Sequence, residues 1–370
     1  MNNKILLIHD LRGIAALLVV FFHFSIYLAG AYVQKDLGWI LFGSGAFGVD
    51  LFFMISGFVI VLSTQKNSSI SIFAVRRFFR VYPIFIFVFI VGALTVYSKE
   101  SNFNLIKAAL FIHKDYTLPS PSFGYNILGT AWTLSYEMYF YIVFAIAMSI
   151  SAKYRVIISS LMLATPVISL QLFFTGAFSF SGSAAPQIPI DTPFYGFIRF
   201  ISSPILIEFI MGMLFFEVFS KVKFKINTKL ATFIFALCCG VFLTFYFGQF
   251  NNEFGLHGFG LWSFFLLFGS LMYDKAIGFK ENKMLTFLGN ISYSLYISHY
   301  VFVNAVAVYN PSFMLALSGL GKFFIMTTTT MTTATLIHFS LEKPFINLGR
   351  KIEGAIKNTA YKHRLSLNSH

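Results

Sequence analysis

The sequence predicts an all-α, polytopic integral membrane protein with about ten transmembrane helices and both termini in the cytoplasm. Three observations carry this expectation. Of 370 residues, 57% are hydrophobic and only 11% are charged, against roughly 25% charged in soluble proteins. That leaves too little polar surface to cover a water-exposed globule, and too much apolar surface for a disordered chain. Apolar runs of spanning length, about 20 residues each, recur along the whole chain. Finally, the cations sort by side. With the N-terminus inside, only Lys35, Lys99, Lys107, Lys114, Arg199 and Lys322 of the 27 Lys and Arg fall outside, as the positive-inside rule requires. The net charge of +13 would suggest nucleic acid on a soluble chain; here topology accounts for most of it, and no nucleic-acid partner is expected.

The spans are expected near 11–31, 39–62, 82–98, 127–150, 155–176, 200–219, 230–250, 256–273, 285–309 and 318–340. The first is interrupted at its start by His9, Asp10 and Arg12, and no small-residue cleavage site follows it, so a cleavable signal peptide is not expected. The third begins at Tyr82-Pro83, after a basic segment. Between the third and fourth, residues 99–126 include the apolar stretch Leu105–Ile112, too short to span. Pro186, Pro189 and Pro193 punctuate a second long loop, 177–199. The seventh span contains Cys238-Cys239, adjacent and unsuited to a disulfide framework. The even number of spans returns the C-terminus to the side of the N-terminus, with 346–370 as a basic cytoplasmic tail.

Ionisable residues within spans are costly and therefore mark function by default. Arg12 and His23 are eleven residues apart in the first span. Eleven steps make about three helical turns, so the two share one face, separated by a rise of roughly 16 Å. Arg12 alone reads as a topological anchor, and His23 alone as a core histidine. As a pair they suit a long substrate with an anionic head and a distant reactive end, as in acyl-coenzyme A. Asp50, in Gly48-Val49-Asp50-Leu51, is placed at similar depth. It either orients the His23 imidazole, as in catalytic triads, or caps a neighbouring helix. Arg76, Arg77 and Arg80 fall on adjacent helical turns. Arginine forks suit phosphate oxygens; lipid headgroup contact is the alternative.

The fourth span carries Trp132, Tyr136 and Glu137 among further tyrosines. Aromatics are common at membrane interfaces, but they also stack on sugars. Glu137 is expected to bind or deprotonate an acceptor hydroxyl there. In the ninth span, Ser292, Tyr296 and His299 recur at helical spacing and form a polar stripe, which either contacts substrate or cements helix packing.

These segments together resemble the membrane-bound acyltransferase-3 family. The resemblance rests on Arg12 with His23, on Gly48–Phe53 with Ser56-Gly57-Phe58, and on Arg76, Arg77, Arg80 and Pro83. It rests equally on Trp132–Glu137, on Ser292–Tyr296 with His299, and on Glu342-Lys343-Pro344. The motifs run in family order over about 5–345, which is taken as the acyltransferase domain. The resemblance implies transfer of an acyl group, commonly acetyl from acetyl-coenzyme A, onto hydroxyls of extracytoplasmic carbohydrates such as O-antigen or exopolysaccharide. It implies a bacterial inner-membrane location, with no resident cofactor or metal. Some relatives carry a fused periplasmic SGNH domain; a stand-alone form is expected here, acting by itself or with a separate periplasmic partner.

On this reading Arg12, Arg76, Arg77 and Arg80 bind the donor phosphates. His23 is the general base, its neutral form being available near pH 7, and Asp50 orients it. Glu137 serves the acceptor, and Trp132, Tyr136, Ser292, Tyr296 and His299 bind substrate. A covalent acyl-histidine remains an alternative course. A transporter or flippase is the main rival, since intramembrane His, Asp and Glu also build proton relays.

Overall fold

A computed structural model describes residues 6–66, 69–221 and 226–367, with side chains through 359. Residue 5 at the start of the expected domain, and Lys4, Lys223 and Lys225 of the basic side, lie outside the described residues, as do the side chains of Lys362 and Arg364.

Among the described residues the chain is helical, and its only extended pairing is an isolated bridge between Ser181 and Gly255. The long helices are α1 (Leu6–Phe24), α2 (Gly48–Thr64), α3 (Ile70–Leu94), α4 (Trp132–Ile150) and α5 (Arg155–Thr175). They continue with α6 (Leu206–Lys221), α7 (Thr228–Gly248), α8 (Phe259–Ala276), α9 (Lys283–Tyr309), α10 (Gly319–Ile337) and α11 (Lys343–Leu367). The first ten overlap the ten expected spans, but α3 starts twelve residues before the expected 82, so Arg76, Arg77 and Arg80 lie within the helix and not ahead of it. Among the described residues, eight helical segments are long and apolar enough to cross a membrane. The other two, α8 and α10, fall short because Asp274 and Lys275 close α8 and a threonine run, Thr327–Thr330, fills α10. Large apolar side chains stay on the outside of the bundle, for example Leu161 and Phe173 on α5 and Phe233, Leu237 and Phe247 on α7. That is the surface a bilayer covers.

Helix ends follow local chemistry. The Asn282 side chain accepts from the Met284 and Leu285 N–H groups at 2.9 and 3.2 Å, capping α9. Asn227 does the same for α7 through Lys229 N–H at 2.9 Å. Gly176 ends α5 with φ of 71°, the left-handed conformation that glycine adopts without penalty.

Small residues set the helix approaches. A Cβ on Gly13 would lie 2.6 Å from the Gly289 nitrogen, and one on Gly289 would lie 2.5 Å from the His9 carbonyl oxygen. Helices α1 and α9 therefore cross backbone to backbone. Gly48 brings α2 within 2.7 Å of the Ala15 carbonyl oxygen by the same measure, and Gly57 and Gly212 do so for α2 and α6. The result is an inner group of α1, α2, α4 and α9, with α3 closing one side.

Two loops expected to be long fold over one end of this group. Residues 99–126 contain a helix, Asn102–Ala109, and 177–199 lead into another, Tyr195–Ile201. The loops are sewn together. Ser120 donates to the Gly182 carbonyl at 2.8 Å, and the fully buried Arg199 donates to the Pro186 and Leu118 carbonyls at 3.1 Å each. Residues 346–367, expected to form a separate tail, instead continue α11, so the expected boundary at 345/346 falls inside a helix. Helix α11 packs against α3 through a forked Arg76–Glu353 ion pair, with N···O distances of 2.8 and 2.6 Å.

Candidate functional site

Two neighbouring cavities lie within the inner helices. The first, about 90 Å³, is lined by Arg12, Arg77, Arg80, Ser56, Glu137, Tyr141, Thr133, Ser292, Tyr293 and Tyr296 among others. The second, about 410 Å³, is lined by His23, Trp39, Ser120, Tyr125, Thr130, Trp132, Asn252, Glu253, Phe254, Tyr296 and Tyr300 among others. Val49 and Tyr296 line both, and Phe52 packs on Tyr296 with ring centres 5.4 Å apart. The cation-rich cavity and the aromatic cavity are thus neighbours that share wall residues of α2 and α9.

In the first cavity, Arg80 is ion-paired to Glu342, whose other oxygen accepts from Ser294 Oγ at 2.7 Å and contacts His338 Nδ1 at 2.9 Å. Arg77 donates to Ser63 Oγ at 2.6 Å and lies over the Tyr141 ring at 5.3 Å. Arg12 joins them from α1. Arg76 does not: its guanidinium turns to Glu353 and to the Ser63 carbonyl, at 2.9 Å. The expected cluster of three is split because Arg77 and Arg80 face the bundle interior while Arg76 faces α11. Glu353, outside the spans, is held down at about 2, first by the Arg76 hydrogen bonds and also by Lys357.

Glu137 also departs from expectation. It lies in the cavity with the arginines rather than in the aromatic one, and it accepts hydrogen bonds from Ser56, at 3.2 Å, and from Tyr141. About one and a half turns of α4 separate Glu137 from Trp132, and they carry it from the aromatic cavity to the arginine cavity, which Thr133 also lines.

Asp50 does not orient His23. Its carboxylate, fully buried, accepts from the Gly255 N–H at 2.7 Å and faces the equally buried Glu208 of α6. Gly260 leaves room for Glu208, since a Cβ there would come within 2.6 Å of Glu208 Oε1. Asp50 therefore ties α2 to α6 and to the segment carrying Asn252, Glu253 and Phe254. His23 instead meets rings from α9, His299 at 5.1 Å and Tyr300 at 5.0 Å between ring centres.

Of the expected substrate contacts, Trp132 lines the aromatic cavity and packs edge-on to Phe254 at 5.3 Å. Tyr296 lines both cavities, its hydroxyl 3.0 Å from Thr133 Oγ1. Ser292 reaches the arginine cavity but donates to the Gly289 carbonyl of its own helix at 2.9 Å. Tyr136 lines neither cavity. It is buried, stacked on Phe200 at 4.5 Å, and donates to the Pro121 carbonyl at 2.8 Å, holding the loop cap. His299 likewise lines neither cavity; it is fully buried behind His23.

Sequence reasoning passed over Tyr125, Tyr300, Glu253 and Glu208. Glu208 carried a readable signal, a carboxylate within an apolar span and well away from the charged end of the helix at Glu217 and Lys221. Tyr125 and Glu253 carried none, because both sit in loops that only tertiary folding brings to the cavity. No group of three or more His, Cys, Asp or Glu suited to a metal occurs among the described residues. Cys238 and Cys239 are free thiols.

Comparison with known proteins places this geometry in context. A family model described as an acyltransferase domain matches residues 8–339. The chain is 26% identical over 318 residues to the exopolysaccharide production protein ExoZ of Rhizobium meliloti, a match spanning 84% of this chain and 92% of that one. It is 26% identical over 180 residues to the acyltransferase MdmB of Streptomyces mycarofaciens, spanning 46% of this chain and 45% of that one. No solved structure matches.

Proposed function

The chain belongs to the membrane acyltransferase family that matches it over residues 8–339, and from that premise we propose that it moves acetyl from acetyl-coenzyme A to a hydroxyl of a cell-surface carbohydrate. The observation that carries this reading is the adjacency of an arginine-lined cavity and an aromatic cavity holding His23, which share Val49 and Tyr296 as wall residues.

Coenzyme A has the shape for that path. Its phosphates are held by Arg12, Arg77 and Arg80, where guanidinium forks match phosphate oxygens. The pantetheine arm runs past Phe52 and Tyr296 and presents the thioester to His23. The rise of roughly 16 Å between Arg12 and His23 along one helix face sets the required length. Glu342 and Glu137 offset part of the arginine charge, so that the site is habitable before the donor binds. Arg76 is left out of this role.

The acceptor occupies the aromatic cavity, where Trp132 and Tyr125 offer ring faces to a sugar. Its volume falls within the roughly 300–1,000 Å³ of small-molecule sites. His23 takes the proton of the acceptor hydroxyl as its oxygen attacks the thioester carbonyl. The carbon–sulfur bond breaks, the thiolate leaves, and the imidazolium returns the proton to sulfur. The name of ExoZ supports a polysaccharide acceptor, and that of MdmB supports acyl transfer. The cation distribution supports a cytoplasmic donor side and an inner-membrane location.

The test is transfer from radiolabelled acetyl-coenzyme A to surface glycans by the purified protein. His23→Ala is expected to abolish it. Transfer that survives this substitution would remove His23 as the base, and donor affinity unchanged by Arg77→Ala with Arg80→Ala would remove the phosphate site.

A further inference from the structure

We propose that His23 and His299 form a hydrogen-bonded pair, in which the buried His299 accepts a hydrogen bond from His23 and thereby turns the free nitrogen of His23 toward the cavity. This rests on His23 being the base, as argued above.

His299 Nδ1 lies 3.3 Å from the Leu295 carbonyl oxygen. A carbonyl can only accept, so Nδ1 carries the proton and Nε2 carries a lone pair. That Nε2 is buried and has no hydrogen-bond partner, a costly state for a polar atom inside a membrane protein. The nearest imidazole is that of His23, with ring centres 5.1 Å apart and planes inclined by 40°. Two imidazoles joined edge to edge by an N–H···N bond of about 2.9 Å have centres separated by roughly 5 Å. The spacing is therefore already that of a hydrogen-bonded pair, and rotation of the His23 ring closes it.

The consequence is a fixed tautomer. With one His23 nitrogen donating to His299, the other must hold its lone pair, and His23 lines the aromatic cavity where the acceptor hydroxyl arrives. When His23 takes that proton, its N–H toward His299 becomes a charge-assisted bond. A neutral partner suits this depth better than a carboxylate, because the resting pair carries no charge to desolvate. The role the sequence offered to Asp50 thus falls to a residue of α9. The Gly13–Gly289 crossing brings α9 against α1. His299 does not touch substrate and is a positioning residue.

The experiment compares His299→Gln with His299→Asn in purified, monodisperse protein. The probes are radiolabelled acetyl-coenzyme A and a surface-glycan extract of the producing cells. Gln places an amide oxygen near the Nε2 position and restores an acceptor for His23. Asn keeps an amide N–H near Nδ1 for the Leu295 carbonyl and supplies no acceptor to His23. The expected result is a loss of about 100-fold in kcat for Asn, with donor KM unchanged within twofold and Gln at least tenfold faster than Asn. Asn equal to or faster than Gln would assign His299 to helix packing and overturn the pair. His23→Ala with native turnover would instead remove the base itself, and the pair with it; an inactive His23→Ala beside a fully active His299→Asn would remove the pair alone.

Discussion

Substitution of Gly13 by alanine tests whether the α1–α9 crossing sets the catalytic geometry. The new Cβ would stand 2.6 Å from the Gly289 nitrogen and 2.8 Å from the Leu288 carbonyl carbon, both backbone atoms that cannot rotate away. Ordinary contact begins near 3.4 Å, so the two helices must separate by about 0.8 Å at this point, from 2.6 to 3.4 Å. Overpacking of this kind costs about 1–3 kcal/mol. The larger effect is on alignment. Arg12 is the neighbour of Gly13, and His23 extends from the same helix toward His299 and Tyr300 on the displaced partner. Misplacement of reacting groups by about 1 Å can cost on the order of 100-fold in rate. Gly13→Ala is therefore expected to lower kcat by 10- to 100-fold, by that reasoning roughly, while the melting temperature in detergent falls by only a few degrees. The reciprocal Gly289→Ala should behave alike, because its Cβ would meet the His9 carbonyl oxygen. Native turnover in both variants would refute the claim that this contact positions the site.

Further expectations follow from the remaining contacts. Arg77→Ala and Arg80→Ala should each raise the donor KM by about 10-fold or more, the loss of one charge-assisted contact being worth about 1.5–3 kcal/mol, whereas Arg76→Ala should leave donor KM unchanged and lower stability; steady-state kinetics beside thermal melts separates the two. Glu353 has a depressed folded-state pKa of about 2 against an ordinary 4.5, so its stabilisation is complete above about 4.5 and is lost as pH falls toward 2. Because Arg76 is one-third exposed, the pair is worth about 1 kcal/mol, and the acid-side fall in melting temperature should be smaller in Glu353→Gln. Asp50→Asn should remain active, since its amide can accept from Gly255 and donate to Glu208. Asp50→Ala leaves the Gly255 N–H unpaired and should lose about 1–3 kcal/mol of stability. A large drop in kcat for Asp50→Asn, with folding intact, would return Asp50 to the catalytic role.

Much of this was legible in one dimension. A long helix overlaps each of the ten apolar runs, and eight helical segments among the described residues are long and apolar enough to span, because in a bilayer a helix must satisfy its own backbone and its length is fixed by the membrane. The shared face of Arg12 and His23 follows from helical periodicity alone. The partners of buried charges were not legible. Asp50 and His23 are placed at similar depth, yet Asp50 turns toward Gly255 and Glu208. Depth fixes one coordinate; the azimuth of each helix depends on which glycines let neighbours approach. Arg76 and Arg77 are adjacent, yet one pairs with Glu353 from the far end of the chain and the other enters the cavity. Glu137 lies about one and a half helical turns beyond Trp132, which was enough to move it from the expected acceptor side to the arginine cavity.

The sequence by itself determined the class of the protein, where its apolar helices fall and the motifs that mark its family. Composition and periodicity are properties of the chain, and a bilayer converts apolar runs of sufficient length into helices that satisfy their own backbones. The tertiary structure decided which side chains meet. It put His299 rather than Asp50 beside His23, released Arg76 from the cavity, and closed the aromatic cavity with Tyr125 and Glu253 from distant loops. Those pairings depend on helix rotation and on close backbone crossings such as Gly13 with Gly289, contacts between residues far apart in sequence that no local pattern encodes.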